Sequence, residues 1–326
     1  MASSDQAQAL WYVAPGKAEI RAETLPAPAA GEARLAAVAS ALSRGTERLI
    51  FSGRVPESEF ERMRAPFMSG AFPFPVKYGY AMVGRVVDGP AALKGRLAFA
   101  LYPHQTAFNL PVENIVPLPD GLPPERAVLG ANMETALNAV WDSAAGPADR
   151  VAVVGAGVLG LLVARLAAAM RADVTVVDTN PQRAAVAAQL GAAFALPDKA
   201  PDNCDLVVHT SASAAGLTTA LRLAGDEATV LELSWYGTDD VKVPLGEVFH
   251  SRRLKLVSSQ VGKVAPSRRP RWDYRRRLSA ALELLKDPAL DALLAPAIAF
   301  TDLPAQLADI LTPTSGVLCQ VIRYPN

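Results

Sequence analysis

The chain has 326 residues, 51% apolar and 20% charged, enough apolar material for two domains with sizeable cores and too much for a disordered chain. Thirty-two basic and thirty-two acidic residues cancel, so no net field argues for a nucleic-acid or anionic-membrane partner. Two cysteines, Cys204 and Cys319, are too few for a four-cysteine zinc cluster or a disulfide framework; they fit a reducing compartment, with one bridge left open.

No uncharged run exceeds 16 residues; the two of that length, 97–112 and 206–221, contain His and other polar residues. A spanning helix needs ~20 mostly apolar residues. The start, MASSDQAQAL, has neither a basic n-region nor an apolar h-region, so the expectation is a cytoplasmic protein with a small-molecule substrate.

Residues 9–120 read as β-rich: ALWYVA, ARLAAVA, GYAMVGRVV and RLAFALY are short runs divided by Pro and Gly. A helix is predicted from Gly45 through TERLIFSG, and a second short one in PESEFERMRAP. Residues 125–143 carry apolar positions at helical spacing. From Arg150 the pattern alternates: VAVVGA, VLGLLVARLAAAM, DVTVVD, NPQRAAVAAQLGA, DLVVHT, AAGLTTALRLA, TVLELSW, LKLVSS. Strands alternating with helices predict a parallel sheet covered on both faces. Residues 274–294 read as one long helix with Leu278, Leu282 and Leu285 on a face, and VLCQVIRYP as a strand that returns to the N-terminal β domain.

The strongest motif is Gly155-Ala156-Gly157-Val158-Leu159-Gly160, placed between a strand and a helix. Gly155 permits the tight turn, Gly157 removes a side chain that would block a pyrophosphate, and Gly160 lets helix and strand approach. The helix start at Val158 and Leu159 offers N–H groups to phosphate. Eighteen residues beyond Gly160, Asp178 ends DVTVVD, where a carboxylate accepts from ribose hydroxyls and repels a 2′-phosphate. NAD is therefore expected over NADP, softened by Arg183. His209 ends DLVVHT and is expected to line the adenosine side, and Thr210 after it is placed with the cofactor-binding residues; His250 reads as a surface residue.

The order of a β-rich domain, a GxGxxG domain and a short return segment resembles the medium-chain dehydrogenases/reductases, the alcohol-dehydrogenase superfamily. The resemblance implies a Rossmann doubly wound parallel sheet (123–265) plus a GroES-like β-rich catalytic domain (1–122, completed by 266–326), with substrate between them and a homodimer or homotetramer as the assembly. SRGTE, YGYAMVGRV, NMETALNAVW and SSQVGKVAP are similar to a narrower subgroup related to the bacteriochlorophyllide hydroxyethyl dehydrogenases, which oxidise a secondary alcohol on a chlorin ring with NAD.

The superfamily's catalytic zinc can be followed position by position. The Cys of its C-x-T-D segment is Arg44 here, in Arg44-Gly45-Thr46-Glu47; the His of its GHE segment is Tyr80; the Cys four residues before a nicotinamide-contacting Thr is Ala131, with Thr135 as that Thr. Arg, Tyr and Ala cannot make a site of thiolate and imidazole donors, so a zinc-free member is expected. Without a metal, hydrogen-bond donors or a cation must steady the substrate oxygen.

Thr46 matches the superfamily's proton-relay hydroxyl; an N-cap role is equally open. Tyr80 is either an acid–base group, its pKa lowered by Lys77 or Arg44, or a ring filling the vacated metal space. Arg44 supplies charge to the alkoxide or pairs with Glu47 or Glu134. Glu47 orients its neighbours and counts with the substrate-binding residues. His104, at a strand end expected to face the cleft, suits proton shuttling. Asn132 and Glu134 flank the lost ligand and bind ribose or substrate, or serve structure.

Residues 252–277 hold ten Lys or Arg and one acid, Asp273, a net +9. Arg268, Arg269 and Trp272 of that segment suit a planar acidic substrate; a solvated face is the plainer reading. The expected activity is hydride transfer between NAD(H) and a secondary alcohol or ketone. Enone or quinone reduction with NAD(P)H, and a dinucleotide-binding sensor that no longer turns over, are the alternatives.

Overall fold

A computed structural model describes residues 6–325. They form two compact units: residues up to 131 with 282–286 and 294 onward, and residues 132–281 with 287–293. The sequence-based boundaries at 122 and 265 both shift, for reasons visible in the side chains. Ala127, Val128 and Leu129 are fully buried, and Arg126 donates to the carbonyl of Lys286 (3.1 Å), which ties 123–131 to the first unit. Arg277 bonds Glu134 and Asn138, which keeps 266–281 in the second.

In the first unit the chain runs β1 (Gln6–Ala14), β2 (Lys17–Thr24), β3 (Glu32–Ala41), α1 (Arg44–Phe51), β4 (Ser69–Gly70), β5 (Val76–Lys77), β6 (Met82–Asp88), β7 (Leu97–Ala100), β8 (Ala107–Pro111), β9 (Val116–Pro117) and α2 (Pro124–Ala127). In the second it runs α3 (Gly130–Ser143), β10 (Arg150–Val154), α4 (Val158–Ala169), β11 (Asp173–Val177), α5 (Arg183–Gln189), β12 (Ala193–Ala195), β13 (Cys204–His209), α6 (Ala214–Leu223), β14 (Ala224–Glu232), β15 (Lys255–Ser258) and α7 (Tyr274–Leu284). The return adds β16 (Leu294–Ala299), α8 (Leu303–Leu311) and β17 (Cys319–Arg323).

The first unit holds a four-stranded sheet, β2-β1-β5-β4, and a seven-stranded sheet, β16-β17-β3-β6-β7-β9 with β8 on β3. β17 pairs antiparallel with β3, Ile322 opposite Ser40, as the return of the tail predicts. The second unit is a parallel sheet in the order β12-β11-β10-β13-β14-β15. Its central strands, VAVV of β10 and LVVH of β13, are buried on both faces, which is why they read as unbroken apolar runs. α4 buries Leu161, Leu162, Val163 and Ala164, and α6 buries Leu217, Ala220 and Leu221.

Two expected helices come out differently. PESEFERMRAP contains only a single 3₁₀ turn, Glu57–Glu59; none of its residues is buried, so no apolar face holds a helix there. The helix predicted over 274–294 stops at Leu284, and a 3₁₀ turn, Pro288–Leu293, follows, because Pro288 cannot supply the N–H a continuing helix needs. Cys204 and Cys319 are both free and buried. Among the described residues no helix is long and apolar enough to cross a membrane.

Candidate active site

The glycine turn follows β10 and opens α4. Gly155 has φ +111°, a left-handed conformation that favours glycine, and a Cβ there would meet Thr210 Oγ1 at 2.7 Å. A Cβ on Gly160 would collide with the Gly155 carbonyl. A Cβ on Gly157 would meet nothing within 4 Å. Two glycines are thus required by the protein itself, and the third keeps a cradle open beside the start of α4, whose first N–H groups have no intrahelical acceptor. That donor set fits a dinucleotide pyrophosphate.

Asp178 follows β11. Its carboxylate accepts from Ala156 N (2.7 Å) and Asn180 N (2.8 Å), which fixes it at the turn with further lone pairs to offer. Arg183 is part-buried nearby; burial lowers its pKa and the Asp178 charge raises it. Thr210 serves the turn: its hydroxyl donates to Gly155 O at 2.9 Å. That bond commits the hydroxyl proton to the turn.

The first unit gathers the oxygen-handling candidates. Tyr80 OH lies 2.5 Å from Ser43 Oγ and 3.1 Å from Thr46 Oγ1. Thr46 is the third residue of α1; Ser43 occupies the N-cap position, so the N-cap alternative for Thr46 does not apply. One phenolic proton cannot satisfy both neighbours, which leaves hydroxyl capacity in the cluster for a ligand oxygen. Tyr80 and Thr46 are both partly exposed.

The expected cations do not reach Tyr80. Lys77 is buried against Glu23 (2.6 Å) and Gln105 (2.7 Å). Burial pushes the Tyr80 phenol above its usual value; the Ser43 and Thr46 bonds pull it down only in part, and the Glu47 charge adds to the rise. The phenol is therefore a donor at neutral pH, not the lowered-pKa base expected from sequence.

Arg44 donates to the carbonyls of Ile310 (2.9 Å), Thr312 (2.8 Å) and Val317 and to Ser315 Oγ (2.7 Å). It clamps the end of α8 to the following loop, which commits its charge there in place of a substrate alkoxide or a glutamate. Glu47 is 1% exposed and accepts from Tyr12 OH (2.6 Å) and Ser43 N (2.7 Å). His104 Nε2 lies 3.0 Å from Glu47 and Nδ1 2.8 Å from Ser40 Oγ, which also meets Tyr324 OH at 2.9 Å. His104 has no exposed surface. This buried chain replaces the open, shuttling His104 and the substrate-facing Glu47 that the sequence suggests.

The zinc donors that the resemblance implies do not fit here. At those positions stand a guanidinium bound to carbonyls, a phenol bound to hydroxyls, and the methyl group of Ala131. Among the described residues no group of three His, Cys, Asp or Glu is placed to hold a metal ion.

On α3, Asn132 and Thr135 are partly exposed. Glu134 instead forms a buried pair with Arg277 (3.0 Å), and Arg277 also donates to Asn138 Oδ1 (2.6 Å). Burial raises the Glu134 carboxyl, and Arg277 opposes that rise. In the basic segment Trp272 packs on Trp141 (4.8 Å between ring centroids) with Arg276 over its ring at 4.0 Å. Arg268 lies over Trp141, and Arg269 donates to Val264 O at 2.8 Å. Trp272 is thus already stacked by its own chain. Sequence reasoning singled out His209 but missed its partners Ser211 and Glu232, as well as Ser43 and Arg277; the run of three arginines at 275–277 is the signal for the last.

Residues 158–285 match the family described as zinc-binding dehydrogenase. That stretch contains none of positions 44, 80 and 131, so the match carries no information about metal donors. L-galactonate-5-dehydrogenase of Escherichia coli (strain K12) is 43% identical over 76 residues, 23% of this chain and 22% of that protein. D-guloside 3-dehydrogenase of the same strain is 27% identical over 202 residues, 57% of this chain and 58% of that one. The chain therefore aligns with less than two thirds of either relative's length. A zinc-binding-type dehydrogenase structure from Sinorhizobium meliloti 1021, bound to NADP, superposes with a TM-score of 0.77 at 18% identity, covering 98% of this chain and 99% of that one.

Proposed function

We propose that this chain, whose residues 158–285 match the zinc-binding dehydrogenase family and whose fold is that of the medium-chain dehydrogenases/reductases, is a member of that superfamily and a nicotinamide-dependent oxidoreductase interconverting a secondary alcohol and a ketone without catalytic zinc. The observation that carries this reading is the Tyr80–Thr46–Ser43 hydroxyl cluster, with Tyr80 where the superfamily's zinc enzymes have a ligand. A nicotinamide ring supplies the hydride acceptor or donor when bound.

The chain's own groups do the rest. Gly157 and the start of α4 receive the pyrophosphate. Asp178 accepts from ribose hydroxyls and disfavours a 2′-phosphate, so NAD is favoured, while Arg183 beside it tempers the preference. Thr46 holds the substrate oxygen, and the protonated Tyr80 donates to it as negative charge develops. In oxidation the alcohol proton enters this hydroxyl relay as another proton leaves it to solvent water at the partly exposed cluster, and ketone reduction runs the same relay in reverse.

The names of the sugar-acid and glycoside dehydrogenases above support a secondary alcohol as substrate. The narrower chlorin-dehydrogenase likeness supports a secondary alcohol as well, and the exposed Arg268 and Arg269 support an anionic substrate. With Trp272 occupied, the basic segment favours an anion contact over ring stacking.

The test is NADH absorbance with a panel of sugar acids, polyols, aromatic secondary alcohols and their ketones, run on metal-analysed protein with and without chelator. Turnover at substoichiometric zinc, unaffected by chelation, is expected. Loss of turnover on chelation overturns zinc independence. NADPH-dependent quinone or enone turnover in place of alcohol oxidation, or tight NADH binding with none, overturns the reaction class.

A further inference from the structure

His209 is the last residue of β13 and has no exposed surface. Its register partner across the parallel ladder is Glu232, at the end of β14. His209 Nδ1 lies 2.7 Å from Glu232 Oε2, and Nε2 lies 2.7 Å from Ser211 Oγ. Serine, imidazole and carboxylate stand in the order of a nucleophile, its base and the base's orienter. Burial decides against hydrolysis: a fully enclosed imidazole cannot pass its proton to a leaving group. The line instead holds Ser211 in place beside the ends of β13 and β14.

Glu232 accepts from Ser234 N (2.7 Å) and Tyr236 OH (3.0 Å). Burial alone would raise its carboxyl, but the hydrogen bond and the charge that His209 brings, together with the Ser234 bonds, outweigh that and hold it below the usual range. An ionised carboxylate only accepts, so Nδ1 gives the proton of that bond, and Nε2 and the Ser211 hydroxyl share one proton between them. Ser213 Oγ is 2.9 Å from Ser211 Oγ and accepts from Gly216 N (3.0 Å). With one proton, two lone pairs and these two partners, the partly exposed Ser211 hydroxyl keeps capacity for one further hydrogen bond.

Ser211 also stands at the glycine crown. A Cβ on Gly155 would meet Ser211 N at 2.8 Å. The sheet order reverses between β10 and β13, the two strands that lead into Gly155 and Ser211. A dinucleotide crosses a parallel sheet at such a reversal.

We infer that Ser211 hydrogen-bonds a ribose hydroxyl of the bound dinucleotide, and that His209, braced by Glu232, is the residue that positions it. This rests on the dinucleotide reading above. A ribose hydroxyl can give or take that bond, and the pyrophosphate is received at the start of α4, so the ribose is its target.

The full chain is titrated with NADH and with NADH analogues lacking one ribose hydroxyl at a time, followed by NADH fluorescence. Wild type is expected to bind one analogue about 3- to 10-fold more weakly than NADH, the range of one hydrogen bond. Ser211→Ala should bind NADH more weakly by a similar factor and lose that discrimination, with Ser211→Thr restoring it. His209→Leu should match Ser211→Ala, while His209→Gln, which can still donate to Glu232 and accept from Ser211, should recover part. In turnover the KM for NADH should rise with kcat unchanged. Undiminished discrimination in Ser211→Ala overturns the inference even if His209→Leu fails to fold. Equal NADH affinity in wild type and Ser211→Ala overturns it alone, whereas no NADH binding by wild type removes the dinucleotide reading as well.

Discussion

The Tyr80 hydroxyl lies 3.1 Å from the Thr46 hydroxyl, which joins the segment leading into β6 to the third residue of α1. Burial keeps the phenol protonated through neutral pH, so in ketone reduction it gives a proton or a hydrogen bond to the substrate oxygen, and in oxidation it takes a proton only as it passes one on. Tyr80→Phe should lower kcat about 10²- to 10³-fold, the usual cost of losing one donor to a developing oxyanion. Dinucleotide affinity should stay unchanged. Ketone reduction by wild type should show no loss from phenol ionisation up to about pH 10. Steady-state kinetics on both proteins check these outcomes, and full activity in Tyr80→Phe removes Tyr80 from the mechanism.

Two of the crown glycines, Gly160 and Gly157, should separate cleanly. Gly160→Ala drives a methyl group into the Gly155 carbonyl, an overpacking that costs about 1–3 kcal/mol. Gly157 has φ −78°, which any residue adopts, and open space in front of it. Gly157→Ala should leave stability within about 0.5 kcal/mol and weaken NADH binding at least about tenfold. Denaturant unfolding and NADH titration on the two variants read both quantities.

The parallel sheet was legible because its central strands are buried on both faces and its glycine turn has a required residue at each end. The hydroxyl cluster was legible through the resemblance, which placed Thr46 and Tyr80 at inherited positions. Arg44 was not: it donates to three main-chain carbonyls 266 to 273 residues away besides Ser315 Oγ, and carbonyls leave no mark in a sequence. His104 looked open because it ends a short apolar run, yet Glu47 and Ser40 enclose it. His209 and Glu232 meet only through strand register, which residue types alone do not reveal. Arg277 hides among three consecutive arginines, distinguished only by which way the start of α7 turns it.

That arginine supports a stability prediction. Arg277 is 1% exposed, and Glu134 is its buried counter-charge. Arg277→Met should cost about 3–5 kcal/mol at neutral pH by leaving the carboxylate uncompensated. Glu134 already titrates above its ordinary value, and losing Arg277 removes a lowering influence, so the variant's folded-state pKa rises further. A folded state that holds the proton more tightly than the unfolded one loses stability as pH rises from the unfolded to the folded value. Arg277→Met should therefore recover stability on acidification toward the unfolded carboxylate range, and Glu134→Gln in the same background should abolish that recovery. Urea unfolding at several pH values decides it.

The Glu47–His104 pair tests whether a buried histidine beside the hydroxyl cluster works in catalysis or in holding α1. Glu47 takes bonds from Tyr12, the Ser43 amide and His104, so removing the imidazole strips one partner from an enclosed carboxylate. It also strips one from Ser40. His104→Ala should destabilise by about 2–4 kcal/mol. Gly79→Ala should act on the same contact, because φ +132° disfavours a side chain and its Cβ would meet the His104 ring at 2.9 Å. Activity per folded molecule should stay within a few-fold in His104→Ala, since the ring has no exposed surface from which to meet a substrate proton. A kcat loss beyond about 10²-fold with an unchanged melting temperature would return His104 to the proton path.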